Sequence, residues 1–329
     1  MHDDAAILSV DIGGTTTAAG LVTPEGLILS CETAPTLGRG RGRVLEGILA
    51  LLVATRADAV RRGVRLRGVG VGVPGAVDAT TGQIGRDIQN LPELAGCPLG
   101  ARVTEALDLP AVVDNDVNAL TLGESYYGAA RGARHFALLA LGTGVGGGLY
   151  LNGELVRGVS GYGGELGHIP VDLNGRACFC GGRGCLKAYV SGPDIAAQAR
   201  EALAETEGSA LLALAGSPEA LTARHVFEAA GAGDPLALDV VERVCQALGA
   251  GLAAILNGFN PELIVLTGGV AESLEAFMDA VLRWTRAYAF DGAYRAARIA
   301  CVGIGKSASI RGAAALYLYE EARRGGARG

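Results

Sequence analysis

The densest chemistry in this sequence lies between Gly161 and Lys187, GYGGELGHIPVDLNGRACFCGGRGCLK. His168 is followed by nine residues and then by Cys178-Phe179-Cys180, Gly181-Gly182-Arg183-Gly184 and Cys185. Three of the chain's seven cysteines thus fall within eight positions, with one of its four histidines just upstream. Thiolate sulfur and imidazole nitrogen are the donors that zinc takes in a closed, four-coordinate structural site. Cys/His spacing of this density within a loop is the usual sequence form of such a site. The glycines allow a tight loop to fold back so that all four donors reach one ion. Buried structural cysteines would sit on strands or helices, and a disulfide would need an oxidising compartment, for which no secretory segment is seen. The stretch therefore predicts one structural Zn²⁺ on His168, Cys178, Cys180 and Cys185. Glu165 stands beside the same histidine, so metal and substrate share one loop.

Three further stretches offer backbone N–H groups without side-chain hindrance. Asp11-Ile12-Gly13-Gly14-Thr15-Thr16-Thr17 and Gly142-Thr143-Gly144 are hairpin-like turns, and Thr267-Gly268-Gly269 joins a strand to a helix. Exposed N–H groups and hydroxyls suit phosphate oxygens, and Asp11 could hold Mg²⁺ through water. One such turn is as well explained by a hairpin needing positive φ. Three at strand ends argue for a nucleotide held between two domains, although none matches the P-loop or the Rossmann fingerprint. The phosphate-side candidates are Asp11, Gly13, Gly14, Thr15, Thr16, Thr143, Gly144, Gly268 and Gly269. Asp114-Asn115-Asp116 closes another apolar run, where ligand crevices of parallel sheets lie. It reads equally as a proton acceptor with its orienting amide and as a helix N-cap.

The elements that must position these residues follow from periodicity. Ile7 to Val10, Ala18 to Val22 and Leu27 to Cys31 read as strands, Val44 to Val60 as a helix, and Gly68 to Val73 as a buried strand. Leu99 to Ala106 is helical, Ala111 to Val113 a buried strand, and Val117 to Tyr127 a helix. A second cycle opens with a strand from Phe136 to Leu141, the Gly/Thr turn, a strand from Leu149 to Leu151 and the Asn152-Gly153 turn. This repeats the start of the chain and reads as an internal duplication. Ile195 to Leu214, Thr222 to Ala230 and Pro235 to Asn257 are helical. Leu263 to Leu266 and Ile299 to Val302 are strands, and Ala308 to Arg323 is a closing helix.

A chain of 329 residues has room for two domains. Half of its residues are apolar and only 19% charged, so a large core is possible. The net charge of −6 argues against general affinity for nucleic acid or membrane surfaces. The charge-free run from Phe136 to Gly153 is too rich in glycine for a membrane span and reads as a strand pair. Cys31, Cys97, Cys245 and Cys301 are scattered, as reduced thiols of a cytoplasmic enzyme would be.

Together these motifs resemble the ROK family (repressors, open reading frames, kinases) of the actin-like ATPase superfamily. The resemblance runs through Asp11-Ile12-Gly13-Gly14-Thr15, Gly72-Val73-Pro74-Gly75, Val113 to Ala119 and Leu141 to Gly146. It continues through Gly164-Glu165-Leu166-Gly167-His168, the cysteine turns and Gly268-Gly269-Val270. It implies an α/β, two-domain actin-like ATPase (ribonuclease H-like) fold with a duplicated βββαβα core and a cleft between the domains. Residues 1–118 with 306–329 would form the small domain and 119–305 the large one. It implies an ATP- and Mg²⁺-dependent kinase that phosphorylates the 6-hydroxyl of a hexose, with glucose or an N-acetylhexosamine as acceptor, working as a homodimer or homotetramer. Asp116 matches the family's catalytic base. Asn115, Glu165 and His168 match contacts to sugar hydroxyls, and Gly75 and Asn90 lie in segments lining the sugar pocket. Asp11, Gly13, Gly14, Thr15, Thr143 and Gly144 match the phosphate loops and Gly269 the adenosine side.

One position departs from the pattern. Where the family usually has Glu two residues after the last zinc cysteine, this sequence has Lys187. An ammonium only donates where a carboxylate only accepts. If Lys187 faces the sugar it favours an acetamido or carboxylate acceptor; otherwise it turns away and the usual hexose stands. Glu165 is the partner the loop offers it. A sugar-sensing regulator is the competing class, but such relatives carry a helix-turn-helix ahead of the first phosphate loop, and here that loop begins at Asp11. A non-catalytic sugar-binding relative would not need the intact Asp116 and Gly/Thr turns.

Overall fold

Two apolar strands, each paired antiparallel on one side and parallel on the other, are the centres of two sheets. A computed structural model of the chain describes residues 5–36, 43–88, 90–205, 209–303, 305 and 307–326. In the first sheet β1 (Ala5–Ile12), β2 (Thr16–Val22) and β3 (Ile28–Pro35) form an antiparallel meander. After α1 (Val44–Arg61), β4 (Arg65–Val73) runs parallel to β1. A small hairpin of β5 (Val77–Asp78) and β6 (Gln83–Ile84) and then α2 (Leu99–Leu107) lead to β7 (Ala111–Asn115), parallel to β4. α3 (Asp116–Tyr127) follows directly. The strand order is β3-β2-β1-β4-β7.

The second cycle repeats this plan. β8 (Phe136–Leu141), β9 (Val145–Leu151) and β10 (Glu154–Leu155) make the hairpin side. Then come α4 (Lys187–Val190), α5 (Gly192–Glu205), α6 (Leu211–Ala215), α7 (Ala223–Gly231) and the long α8 (Pro235–Phe259). β11 (Leu263–Thr267) is parallel to β8. α9 (Gly269–Leu274), α10 (Met278–Tyr288) and α11 (Asp291–Ala296) precede β12 (Arg298–Val302), parallel to β11. The order β10-β9-β8-β11-β12 matches the first sheet position for position, so the duplication read from the Gly/Thr turns is present in the topology. The chain closes with α12 (Ala308–Gly326). The stretch expected as one helix from Ile195 to Leu214 is two, α5 and α6, with residues 206–208 outside the described ones. Among the described residues no helix is long and apolar enough to cross a membrane.

The chain separates into two compact units. Met1–Gly132, Leu155–Gly163 and Gly305–Gly329 make one; Ala133–Glu154 and Gly164–Ile304 make the other. β4 shows why α12 belongs to the first. Its sequence Gly68-Val69-Gly70-Val71-Gly72-Val73 alternates with the strand period of two. The valines join Leu8, Val10 and Ile12 of β1 and Ile48 and Leu52 of α1 in one buried cluster. The glycines of the other face leave room for α12: a Cβ on Gly70 would stand 1.8 Å from the carbonyl oxygen of Ala313. Backbone cannot yield as a flexible side chain can. Gly70→Ala should therefore cost roughly 1–3 kcal/mol or more and lower the melting temperature by about 2–10 °C. An unchanged melting curve would show that α12 does not press on this strand.

Candidate functional site

In the first unit the parallel strands β1, β4 and β7 end in register. Asp11 pairs with Gly72, Gly72 with Asp114, and Val73 with Asn115. Three backbones therefore deliver their next residues to one edge, as ligand sites of such sheets require. A Cβ on Gly72 would lie 3.3 Å from Cα of Asp116 and 3.8 Å from Oδ1 of Asp11. Burial pushes the Asp11 carboxyl above the usual carboxylate range, and a hydrogen bond with Ser309 pulls partly the other way. A desolvated carboxylate beside hydroxyl groups is a hard-oxygen setting that fits Mg²⁺.

Asp114-Asn115-Asp116 resolves residue by residue. Asp114 and Asn115 are the last residues of β7, and Asn115 is the N-cap of α3, its Oδ1 accepting from the N–H groups of Val117 (2.9 Å) and Asn118 (3.2 Å). Its Nδ2 donates to the carbonyl of Gly75 at 3.1 Å. The amide oxygen is thus saturated, and Asn115 keeps one N–H for a ligand. Asp116 opens the helix half-buried, one oxygen accepting from Val117 N–H at 2.9 Å. The capping reading of this triplet holds, and it falls on Asn115.

The first hairpin is braced from below. Thr36 Oγ1 donates to the carbonyl of Gly13 at 2.7 Å, so the 2.9 Å bond between the Thr17 and Thr36 hydroxyls must be donated by Thr17. Thr17 is buried in this relay, while Thr15 and Thr16 are exposed. Asn90 is exposed beside the same turn, its Cβ 3.4 Å from where a Cβ of Gly14 would be. Periodicity gave no sign of Thr36, which lies on no patterned element.

In the second unit Thr143 and Gly144 are exposed at the tip of the β8–β9 hairpin, and Gly269 opens α9 after β11. Gly192 N–H donates to the Gly142 carbonyl at 2.8 Å and so draws the start of α5 to this turn. A cavity of about 770 Å³ is lined by Gly142, Thr143 and Gly269 together with Arg200, Thr222, Arg224, Glu272 and Ser273. Its size suits a nucleoside. The charged residues of its wall come from separate helices, and no sequence spacing links them. Gly144 and Gly268 do not line it; Gly268 is buried at φ 104° against the end of β8.

Glu165 and His168 bracket one 3₁₀ turn, Leu166–His168, that lies directly on β9. A Cβ on Gly167 would stand 2.1 Å from the carbonyl of Val145, so this approach requires glycine. Glu165 is exposed and His168 half-buried. Beyond them, turns held by Cys178 N–H to Gly182 O (2.9 Å) and Gly184 N–H to Arg176 O (2.8 Å) fold the cysteine loop back. The donor atoms of His168, Cys178, Cys180 and Cys185 all lie within 4.8 Å of one another. Cys178 Sγ is 3.6 Å from His168 Nδ1 and Cys180 Sγ 3.7 Å from Cys185 Sγ. Four donors at ~2.0–2.3 Å from one centre in a tetrahedron stand roughly 3.5–3.8 Å apart, so the residues fit zinc. The other cysteines stand outside the cluster as free thiols.

Lys187 is held differently from the expectation. Its ammonium pairs with Asp194, not Glu165, at 2.9 Å, and lies 4.7 Å from the centroid of the Phe179 ring. Lys187 opens α4 and Asp194 lies in the first turn of α5, so two consecutive helices bring them together. Phe179 in turn meets the His168 ring edge-on at 5.4 Å.

Comparison with known proteins adds a consistent context. The model of the ROK family matches residues 7–320. A glucokinase of Thermotoga maritima is 38% identical over 270 residues, 82% of this chain and 83% of its own. A ROK hexokinase from Thermus thermophilus superposes with a TM-score of 0.79 at 32% identity, over 96% of this chain and 99% of that one. A ROK family glucokinase from Streptomyces griseus, solved with glucose and AMPPNP, gives 0.77 at 34% identity, over 94% and 98%.

Metal analysis of protein purified without chelators should find about one zinc per chain, from the four-donor count. Cys180→Ala should empty the site and lower the melting temperature together. Folded, active protein without zinc would remove the metal from the account.

Proposed function

This chain belongs to the ROK family, and on that premise we propose that it is an ATP-dependent hexose kinase that phosphorylates the 6-hydroxyl of glucose. The observation that carries the reading is Asp116, half-buried at the start of α3, one strand end from Asp11 and next to an Asn115 whose remaining N–H is free for a ligand. Asp116 accepts the proton of the 6-hydroxyl as that oxygen attacks the γ-phosphorus and the bond to the β–γ bridging oxygen breaks to release ADP, a general-base role suited to a positioned carboxylate. Asn115 donates to a sugar hydroxyl. Glu165 accepts from others, and His168, whose Nδ1 faces the cysteine cluster, offers Nε2–H. The turns at Gly13–Thr16 and Thr143–Gly144 present N–H groups and hydroxyls to the phosphates, where transfer depends mostly on position and charge. Asp11 would hold Mg²⁺ through water, which supplies neutralisation of the phosphate charge. His168, Cys178, Cys180 and Cys185 would fill all four positions of a zinc ion, which would fix the loop that carries Glu165 and His168. Arg200, Arg224 and Glu272 add the nucleoside wall. The same reading makes the protein a cytoplasmic homodimer or homotetramer, which light scattering on the purified chain would size.

The acceptor reading turns on Lys187. An ammonium neutralised by Asp194 and resting on Phe179 supports plain glucose over N-acetylhexosamines, because its charge is already satisfied. Coupled assays with ATP and Mg²⁺ should give kcat/KM for glucose above that for N-acetylglucosamine and N-acetylmannosamine. Lys187→Glu should change the ratio by less than roughly threefold; a tenfold change, the worth of one charged hydrogen bond, would put Lys187 in the sugar site. Asp116→Asn should keep the fold and glucose binding while lowering kcat by about 10²-fold or more. Near-normal turnover in that variant would take Asp116 out of the mechanism.

A further inference from the structure

Three charged side chains of the first unit are buried together, and none of them belongs to the site described above. Asp114 of β7 is almost fully buried; Arg157 and Glu320 of α12 are 13% and 12% exposed. Arg157 Nε donates to Asp114 Oδ2 at 2.6 Å, and its Nη2 lies 2.8 Å from Glu320 Oε1. The guanidinium also stands 5.7 Å from the centroid of the Tyr319 ring, whose hydroxyl accepts from Leu155 N–H at 3.0 Å. Burial works against the guanidinium charge, but the Asp114 and Glu320 carboxylates outweigh it and raise its pKa.

The second oxygen of Asp114 faces the other way. Oδ1 accepts from the backbone N–H of Asn115 at 2.7 Å and from Nδ2 of Asn118 at 3.0 Å. One carboxylate therefore grips the turn that carries Asn115 and Asp116 with one oxygen and is gripped by Arg157 with the other. Removing one partner of such a buried pair leaves an uncompensated charge, which the structure must move to relieve. The part that Asp114 holds with its other oxygen is the strand-to-helix turn itself. Arg157 sits on Leu155–Gly163, a segment that belongs to the first unit while the chain on both sides of it belongs to the second.

We propose that Arg157 is a positioning residue for the transfer reaction: by holding Asp114 it fixes the Asn115 backbone and hence the aim of Asp116. This rests on the role of Asp116 given above. Arg157 reaches the reacting atoms only through Asp114, and Glu320 reaches them only through Arg157.

The test compares Arg157→Met, Arg157→Lys, Glu320→Gln and the Arg157→Met/Glu320→Gln pair, each as the full-length chain. Arg157→Met should lower kcat for glucose by roughly tenfold to hundredfold, the scale of a misplacement of about 1 Å, with the KM for ATP within twofold of wild type. Arg157→Lys should recover part of the loss. Glu320→Gln should lower kcat by about twofold to fivefold, and this effect should disappear in the Arg157→Met background, as coupling through one residue requires. Hydrogen exchange at the Asn115 and Val117 amides should rise at least about tenfold in Arg157→Met, a local opening. Folded Arg157→Met with wild-type kcat and unchanged exchange overturns the proposal. So does a loss that follows the folded fraction alone, or Glu320→Gln effects that add fully to those of Arg157→Met. If Arg157→Met does not fold, wild-type kcat and exchange in both Glu320→Gln and Arg157→Lys overturn it. A wild-type protein that phosphorylates no hexose sinks the kinase reading instead, and amide exchange then decides the role of Arg157.

Discussion

Parallel strands that stop together are the constraint on which the rest of the first unit depends. Because Asp11, Gly72 and Asp114 share one register row, the residues that follow them must emerge at one edge, whatever their chemistry. The Asp11 side chain and the backbone at the start of α3 then meet at a position with no side chain. Hydrogen-bonded register tolerates no partial slip, since a shift of one residue would turn every side chain to the opposite face. The second sheet uses the same plan, with Thr267 beside Ala140 at its corresponding edge. A duplicated topology thus yields two sets of exposed turn N–H groups from one folding rule.

Much of this was legible in the sequence because it is periodic or locally spaced. The strands at Phe136–Leu141 and Leu263–Thr267, the helix beginning at Val44 and the cysteine cluster are all written within short windows. What was not legible is non-local. The Thr17–Thr36 relay joins residues 19 apart, and Arg157 meets Asp114 across 43 positions. The cavity wall gathers Arg200, Arg224 and Glu272 from three different helices. Lys187 shows a subtler failure. Glu165 was the carboxylate expected within the loop, yet the placement of α4 and the first turn of α5, not loop membership, decided for Asp194.

The cysteine loop and the buried Arg157 network perform related tasks by different physics. In the loop, four donors converge on one point, and binding energy for a metal becomes ordering energy for the backbone. In the network, a guanidinium between two carboxylates is costly to desolvate and costlier to break. Neither is needed to cover apolar surface. Both spend stability on fixing where a few polar side chains point, which electrostatic catalysis demands.

The face of β4 that carries Gly68 and Gly70 bears on the order in which the protein can be made. That face is fitted to α12, some 240 residues later: Tyr317 OH donates to the Arg67 carbonyl across 250 positions. A ribosome releases the first sheet long before it releases its cover. Until Ala308–Gly326 has emerged, the first sheet lacks the helix that covers Gly68 and Gly70, and the second unit, whose sheet lies within one later stretch, has no such wait. Long-range closure of this kind is slow and exposes strands to association. The unit translated first is therefore the one completed last.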